Sequence, residues 1–212
     1  MLKKIFAFIE KVIDFSILAM LWFVTSIPII TMGASTTALY YCIHKVIYQD
    51  RGYVREYFRA FKDNFKVSTG CWIIQLIIGA VFGIEVYWTR QLAMTGDSAG
   101  NLWRIFIILI GILIAWAVYV YPYIARFENT VRETLKNTAI FAILNFYFTV
   151  PLFLLVVICY LFVMQYPIAI LIITQLFILG IHPIMEKIFR KYMSEEEVER
   201  ENQWDQTDSR ED

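Results

Sequence analysis

The chain has 212 residues, of which 59% are hydrophobic, 17% aromatic and 18% charged, and its mean hydropathy is +0.57. Soluble domains carry about 25% charged residues, so this composition is typical of a protein that resides in a lipid bilayer. Membrane spans of about 20 residues each leave no stretch long enough for a second, soluble domain. Basic and acidic residues number 19 each, so the formal net charge is zero, and we expect no nucleic-acid partner.

Five apolar runs reach or approach the length needed to cross a bilayer. They are residues 15–32, 68–88, 105–125, 138–167 and 168–183. The first run is longer than the apolar part of a secretory signal, which has about 7 to 15 residues, so we interpret it as a retained helix. It should end near Pro28, because the ring of a proline disfavours helical geometry at the residue before it.

The positions of Lys and Arg predict which segments face the cytoplasm, because basic residues beside spans stay on that side. Residues 1–14 hold three of them, 44–66 six, 125–137 three and 187–210 five, whereas 89–104 hold only two. This distribution predicts an N-in and C-in topology with the loop at residues 95–100 outside.

A second, short helix is then needed to return the chain to the cytoplasm before residue 51. As a helix, residues 34–48 would be about 22 Å long. That length is too short to cross comfortably, so the second helix is short or re-entrant. We therefore predict an all-α, polytopic membrane bundle of about six helices in three hairpins, forming a single membrane domain over residues 1–193.

The segment at residues 26–41, SIPIITMGASTTALYY, carries small and hydroxyl-bearing residues between two apolar runs. In a structural interpretation Gly33 permits a sharp turn, and Ser35 or Thr36 caps the next helix. In a functional interpretation these hydroxyls bind a polar ligand or ion at a broken helix, together with Glu85, the only acid inside a long apolar run. The residues of this possible polar path are Thr31, Ser35, Thr36, Thr37 and Glu85. Glu85 has a second interpretation as an interfacial anchor near Arg90.

Residues 51–66 are predicted to form a cytoplasmic amphipathic helix. At 100° per residue one face collects apolar and aromatic side chains and a neighbouring face collects basic ones. Such a helix lies in the membrane interface, with its rings in the acyl boundary, or it docks to a cytoplasmic partner. The contact residues are Phe58, Phe61 and Phe65 on the aromatic face, and Arg55, Arg59, Lys62 and Lys66, called the basic stripe below.

No reaction is indicated by the remaining motifs. His182 and Glu186 are four residues apart, but two ligands do not make a metal site and the only other histidine is His44, so we predict no bound metal. The chain has no Gly-rich phosphate loop, no nucleophile elbow and no zinc-protease histidine pair, so we predict no catalytic residue and no cofactor. Residues 194–212 hold nine acids and two arginines and are predicted to be a disordered cytoplasmic tail.

The block SIPIITMGASTTALYY, together with GYVREYFRAFKDNFK at residues 52–66 and YPYIARFENTVRETLKN at 121–137, resembles the YesL-like family of small bacterial membrane proteins. This family is a domain of unknown function. The resemblance implies a multi-pass protein of the bacterial cytoplasmic membrane, often encoded beside carbohydrate uptake systems and two-component regulators. It supplies no catalytic residues.

Two functional hypotheses follow. The first is a non-enzymatic accessory or regulatory protein whose partners are the lipid bilayer and a carbohydrate transporter subunit or sensor kinase. The second is a small oligomeric permease or channel lined by the polar path. An intramembrane enzyme has no supporting set of residues.

Overall fold

The computed structural model describes residues 2–48 and 53–193, with side chains described for 13–45 and 54–193, and this part of the chain consists of helices joined by short connections, with no strand. The prediction of an all-α fold is confirmed. Short 3-10 turns join several of the helices. The α-helices are α1 (Leu2–Ser26), α2 (Met32–Tyr48), α3 (Tyr53–Met94), α4 (Trp103–Arg126), α5 (Val131–Leu144), α6 (Phe146–Gln165) and α7 (Ile170–Tyr192). The predicted acidic tail at 194–212 lies outside the described residues.

Four segments are long and apolar enough to cross a bilayer, as expected of a membrane protein. They are Val54–Met94, Ser98–Arg126, Phe146–Gln165 and Pro167–Tyr192. The described apolar part of α1, Ile13–Ser26, is shorter. Helix α2 has 17 residues and is not among these candidate spans.

Helix α3 differs from the sequence prediction of an interfacial helix at 51–66 followed by a separate span at 68–88. It runs without a break through 42 residues, a length of about 63 Å at 1.5 Å per residue. No proline or glycine occurs between residues 53 and 69, so nothing in the sequence interrupts the helical hydrogen bonds there. The amphipathic segment is therefore the first third of one long helix, and it does not lie as a separate helix in the interface.

The predicted single span at 138–167 is divided between α5 and α6 at Asn145. The Asn145 backbone leaves helical geometry, with φ −109° and ψ 36°. Its side-chain amide donates to the carbonyl of Phe141 at 2.9 Å, and the Thr149 hydroxyl donates to the carbonyl of Ala142 at 2.8 Å. The Phe141 carbonyl also keeps its helical bond from the Asn145 backbone N–H, at 3.0 Å. The Ala142 carbonyl, which the Phe146 N–H would bind in a continuous helix, is instead occupied by the Thr149 hydroxyl, so the helix is interrupted there.

The connection between α1 and α2 also differs in detail from the predicted turn and cap. Helix α1 ends at Ser26, two residues before Pro28, but Gly33 lies inside α2 rather than in a turn. A Cβ atom at Gly33 would lie 2.8 Å from the Ser68 carbonyl oxygen and from Trp72 Cβ, so this glycine permits close contact between α2 and α3. Ser35 and its neighbour do not cap the helix, because their hydroxyls bond to carbonyls one turn earlier.

Helix α2 lies at the centre of the main hydrophobic core. Its small and apolar residues are almost completely buried, including Ala34, Ala38, Leu39 and Ile43. They pack against side chains from α1, α3, α4 and α7. Because α2 is enclosed in this way, the polar side chains near its C-terminal end face other helices rather than solvent.

Candidate polar cluster at the ends of three helices

A buried polar cluster forms where the C-terminal parts of α2, α4 and α7 meet. Residues four apart share one face of a helix, so Tyr40 and His44 face the neighbouring helices together, as do His182 and Glu186. Arg126 is the last residue of α4. We call these five residues the polar cluster.

The Glu186 carboxylate is the acidic centre of the cluster, and this residue is only 5% exposed. Arg126 Nη2 lies 3.1 Å from Oε2, and the Tyr40 hydroxyl donates to Oε1 at 3.1 Å. A buried carboxylate is tolerated only with such charged and hydrogen-bonding partners. The two carboxylate oxygens therefore face different groups, Oε2 the guanidinium and Oε1 the Tyr40 hydroxyl.

The hydrogen bonds of His44 indicate its tautomer. Arg126 Nη1 lies 3.1 Å from Nε2, and a guanidinium can only donate, so Nε2 accepts and the ring proton is on Nδ1. That Nδ1 atom lies 2.8 Å from Nε2 of His182, which accepts in turn. Burial, followed by the positive charge of Arg126, lowers the pKa of His44 well below its ordinary value, so the ring is neutral at pH 7.

Three donor atoms converge in the cluster. His44 Nδ1 is 3.6 Å and His182 Nε2 is 3.8 Å from the same oxygen, Glu186 Oε1. Together with the 2.8 Å between the two histidine nitrogens, these separations place the three atoms at the corners of a small triangle. Two imidazoles and a carboxylate in this arrangement are a donor set that can hold a metal ion.

The basic stripe predicted from the sequence is exposed along the first third of α3. Arg59 forms loose ion pairs with Glu56 at 4.0 Å and with Asp63 at 3.8 Å on its own helix. The structure therefore brings all four basic side chains to the surface of one helix.

The aromatic face beside the stripe is only partly available to lipid. Tyr57 is fully buried, and its hydroxyl lies 2.7 Å from Thr25 Oγ1 of α1. Phe61 packs against the main core and against the ring of Phe65, with centroids 5.5 Å apart. Only Phe58, 49% exposed, faces outward as the interfacial interpretation requires.

The residues of the possible polar path are not brought together. Each of the four hydroxyls in residues 31–37 donates to a backbone carbonyl within residues 25–33. Thr37 also lies 2.9 Å from Ser68 Oγ, and Glu85 is 17 residues further along α3, about 25 Å away. Among the described residues the Glu85 carboxylate forms no ion pair, since Arg90 is five positions away and about 140° around the helix.

A family model described as "Protein of unknown function, DUF624" matches residues 15–86. This is the YesL-like family. The match confirms the resemblance drawn from the motifs at residues 26–41 and 52–66. Comparison with curated proteins and with solved structures gave no match.

The YesL-like match covers the basic stripe and one part of the polar cluster. Tyr40 and His44 lie inside the matched residues, whereas Arg126, His182 and Glu186 lie beyond them. The cluster therefore joins the segment matched by the family model to the C-terminal half of the chain.

Sequence reasoning did not find this cluster. It considered His182 and Glu186 as a pair of too few ligands for a metal site and noted His44 only as the other histidine, whereas the structure brings the two histidines together across 138 residues of sequence. Tyr40 and Arg126 were not singled out. The available signal was that His44, Arg126 and Glu186 each lie in the C-terminal part of a largely apolar helix, where a polar or charged group needs a partner.

Proposed function

We propose that this YesL-like chain is a non-enzymatic accessory or regulatory protein of the bacterial cytoplasmic membrane, linked to a carbohydrate uptake or sensing system. In this proposal the first third of α3 docks to an acidic surface of a transporter subunit or sensor kinase. The observation that carries it is the exposed basic stripe on an uninterrupted helix of 42 residues. The link to carbohydrate systems rests on the family resemblance.

The length of α3 supports docking over adsorption to lipid. The hydrocarbon core of a bilayer is about 30 Å thick, and α3 is about twice that length. A segment that continues a span in one unbroken helix is not free to lie flat in the plane of the headgroups, as an adsorbed helix does. The basic stripe is thereby presented to the cytoplasm under the predicted N-in topology.

Contacts on the opposite side of α3 hold the stripe in a fixed orientation. Tyr57 is inserted between α1 and α2, and Lys45 Nζ of α2 lies 3.1 Å from Glu56 Oε2. A surface that is already ordered loses less conformational entropy on binding, so it favours recognition of a specific partner. These contacts therefore support a protein partner with complementary acidic groups.

The permease hypothesis has less support. Its hydroxyl groups donate to local backbone carbonyls, and Glu85 lies about 25 Å along α3 from Ser68, the residue that Thr37 contacts. No continuous polar route joins these groups in the described part of the chain.

Site-specific photocrosslinking tests the proposal. A photoreactive residue at Phe58 is flanked by Arg55 and Lys62 on the same helix surface. The matched control is Tyr147 of α6, which is 84% exposed and far from the stripe in the sequence. We expect the probe at position 58 to capture one protein, a transporter subunit or a sensor kinase, in stoichiometric amount. The probe at position 147 should capture lipid alone.

Capture of the same material from both positions would contradict the proposal. Uptake of a sugar by liposomes that contain only this chain would instead favour the permease.

A further inference from the structure

We propose that His44, His182 and Glu186 bind one divalent transition-metal ion, of which Zn²⁺ is the probe, and that the ion joins α2 to α7. This inference does not depend on the proposed docking function. It starts from the three donor atoms of the polar cluster, which come from two helices distant in the chain.

The spacing of the donor atoms matches a metal coordination sphere. The three atom pairs are 2.8, 3.6 and 3.8 Å apart. A circle through three points with these separations has a radius of about 2.0 Å. Zinc binds imidazole nitrogen and carboxylate oxygen at about 2.0 to 2.2 Å, so one ion can bind all three atoms with little movement of the side chains.

The chemistry of the donor set also fits. Two histidines and one carboxylate bind zinc in open sites, where the fourth position remains for water or another ligand. The groups behind them have the arrangement expected around metal ligands, since Tyr40 and Arg126 both bind the Glu186 carboxylate and fix its orientation. Arg126 contacts Oε2 and leaves Oε1 directed at the histidines.

Metal binding requires one change in the hydrogen bonds. Because Arg126 Nη1 can only donate to Nε2, the His44 proton is assigned to Nδ1, the atom that would bind the ion. The proton therefore moves from Nδ1 to Nε2, and Nη1 moves away while Nη2 keeps its ion pair with Glu186. His44 releases no net proton, and His182 Nε2 is already an acceptor.

The first measurement uses the full chain, purified in detergent with a tag that contains no histidine and freed of metal by a chelator. Zn²⁺ is then titrated in competition with a chromophoric chelator, and Co²⁺ is titrated to record its visible absorption. We expect one tight Zn²⁺ site per chain and the spectrum of a tetrahedral Co²⁺ complex. Wild-type protein that binds neither ion more tightly than the His182→Ala protein overturns the proposal.

Variants then assign the ligands. His44→Ala, His182→Ala and Glu186→Gln should each weaken Zn²⁺ binding by at least about tenfold, the lower end of the effect of changing even a supporting group. Glu128→Gln is the matched control, because this exposed glutamate lies outside the cluster, and its affinity should equal that of the wild type. Circular dichroism of the metal-free proteins identifies any variant that fails to fold.

Weak Zn²⁺ binding to the acidic residues 194–212 should persist unchanged in every variant, so only the tight site is scored. Tight binding that survives in folded His44→Ala and His182→Ala proteins overturns the proposal.

Discussion

His44 Nδ1 lies 2.8 Å from His182 Nε2, although 138 residues separate these two side chains in the chain. This contact, together with the Tyr40–Glu186 hydrogen bond, joins the second helix to the last one. Arg126 contributes from α4 to the same group of atoms. The ends of three helices are therefore held by a single set of polar contacts, and loss of one partner should affect all of them.

Arg126→Gln should lower the free energy of unfolding by about 3 to 5 kcal/mol, because the buried Glu186 carboxylate would lose its compensating charge. Thermal unfolding in detergent micelles measures the change. Arg132→Gln on α5 is the control, since Arg132 is exposed, and it should shift the unfolding temperature little. Equal stability of the two variants would show that the Arg126–Glu186 pair does not hold these helices together.

Gly33→Ala should destabilise the protein by about 1 to 3 kcal/mol, because the added methyl group would meet the Ser68 carbonyl and Trp72 at 2.8 Å. Gly83→Ala on α3 is the matched control, since no atom lies within 4 Å of its added Cβ. That change should be neutral or stabilising, as alanine favours the helix. The two unfolding temperatures are compared in the same detergent, and similar values would contradict the close contact of α2 with α3.

Glu133 forms a capping box with Thr130 at the start of α5, and hydrogen bonds from the Thr130 backbone and side chain lower the pKa of its carboxyl group. Because the carboxyl pKa is lower in the folded state, the ionised Glu133 side chain stabilises the fold. This contribution is fully present above the ordinary carboxyl pKa and is lost as the pH falls through the lowered value.

Thr130→Ala should raise the pKa of Glu133 part of the way to its ordinary value, since the backbone donor remains, and should cost about 1 kcal/mol of stability. Titration of the carboxyl chemical shift in both proteins measures the pKa. An identical midpoint in wild type and variant would contradict the role of the Thr130 side chain.

The predicted topology can be tested with single cysteines at Lys62 and Ser98, both of which are exposed. Lys62 is preferred to the neighbouring Ala60, which is only 4% exposed. The native Cys42, Cys71 and Cys159 are replaced first. We expect an impermeant maleimide to label position 98 in intact cells and position 62 only after lysis. Labelling of position 62 in intact cells would contradict the cytoplasmic location of the basic stripe.

Much of the fold follows from hydropathy alone. Long apolar runs predict the cores of α3, α4 and α7, because a bilayer requires about 20 apolar residues for each span. The division between α5 and α6 could not be predicted in this way, since it depends on the Asn145 and Thr149 side chains binding backbone carbonyls. The hydropathy of a threonine is the same whether its hydroxyl binds a backbone carbonyl or another group.

The two candidate sites differ in how far a local sequence pattern can reveal them. The basic stripe is a local pattern with helical spacing, so the sequence is sufficient to place its residues on one surface. The polar cluster depends on how α2, α4 and α7 cross, and no local pattern contains that information. Tyr57 illustrates the intermediate case, because its spacing places it on the aromatic face but cannot reveal that this part of the face is buried against α1.

Docking of the basic stripe to a specific protein partner can be tested with an arginine-to-lysine exchange. Lysine keeps the positive charge but lacks the planar fork that binds a carboxylate through two hydrogen bonds. The photoreactive residue at position 58 is therefore combined with Arg55→Lys or with the control Arg132→Lys on α5. We expect Arg55→Lys to reduce capture of the partner and the control to leave it unchanged, with both proteins equally abundant in the membrane. Equal capture by both, with a graded loss only as total charge is removed, would mean that the helix responds to anionic lipid and would contradict docking to a specific partner.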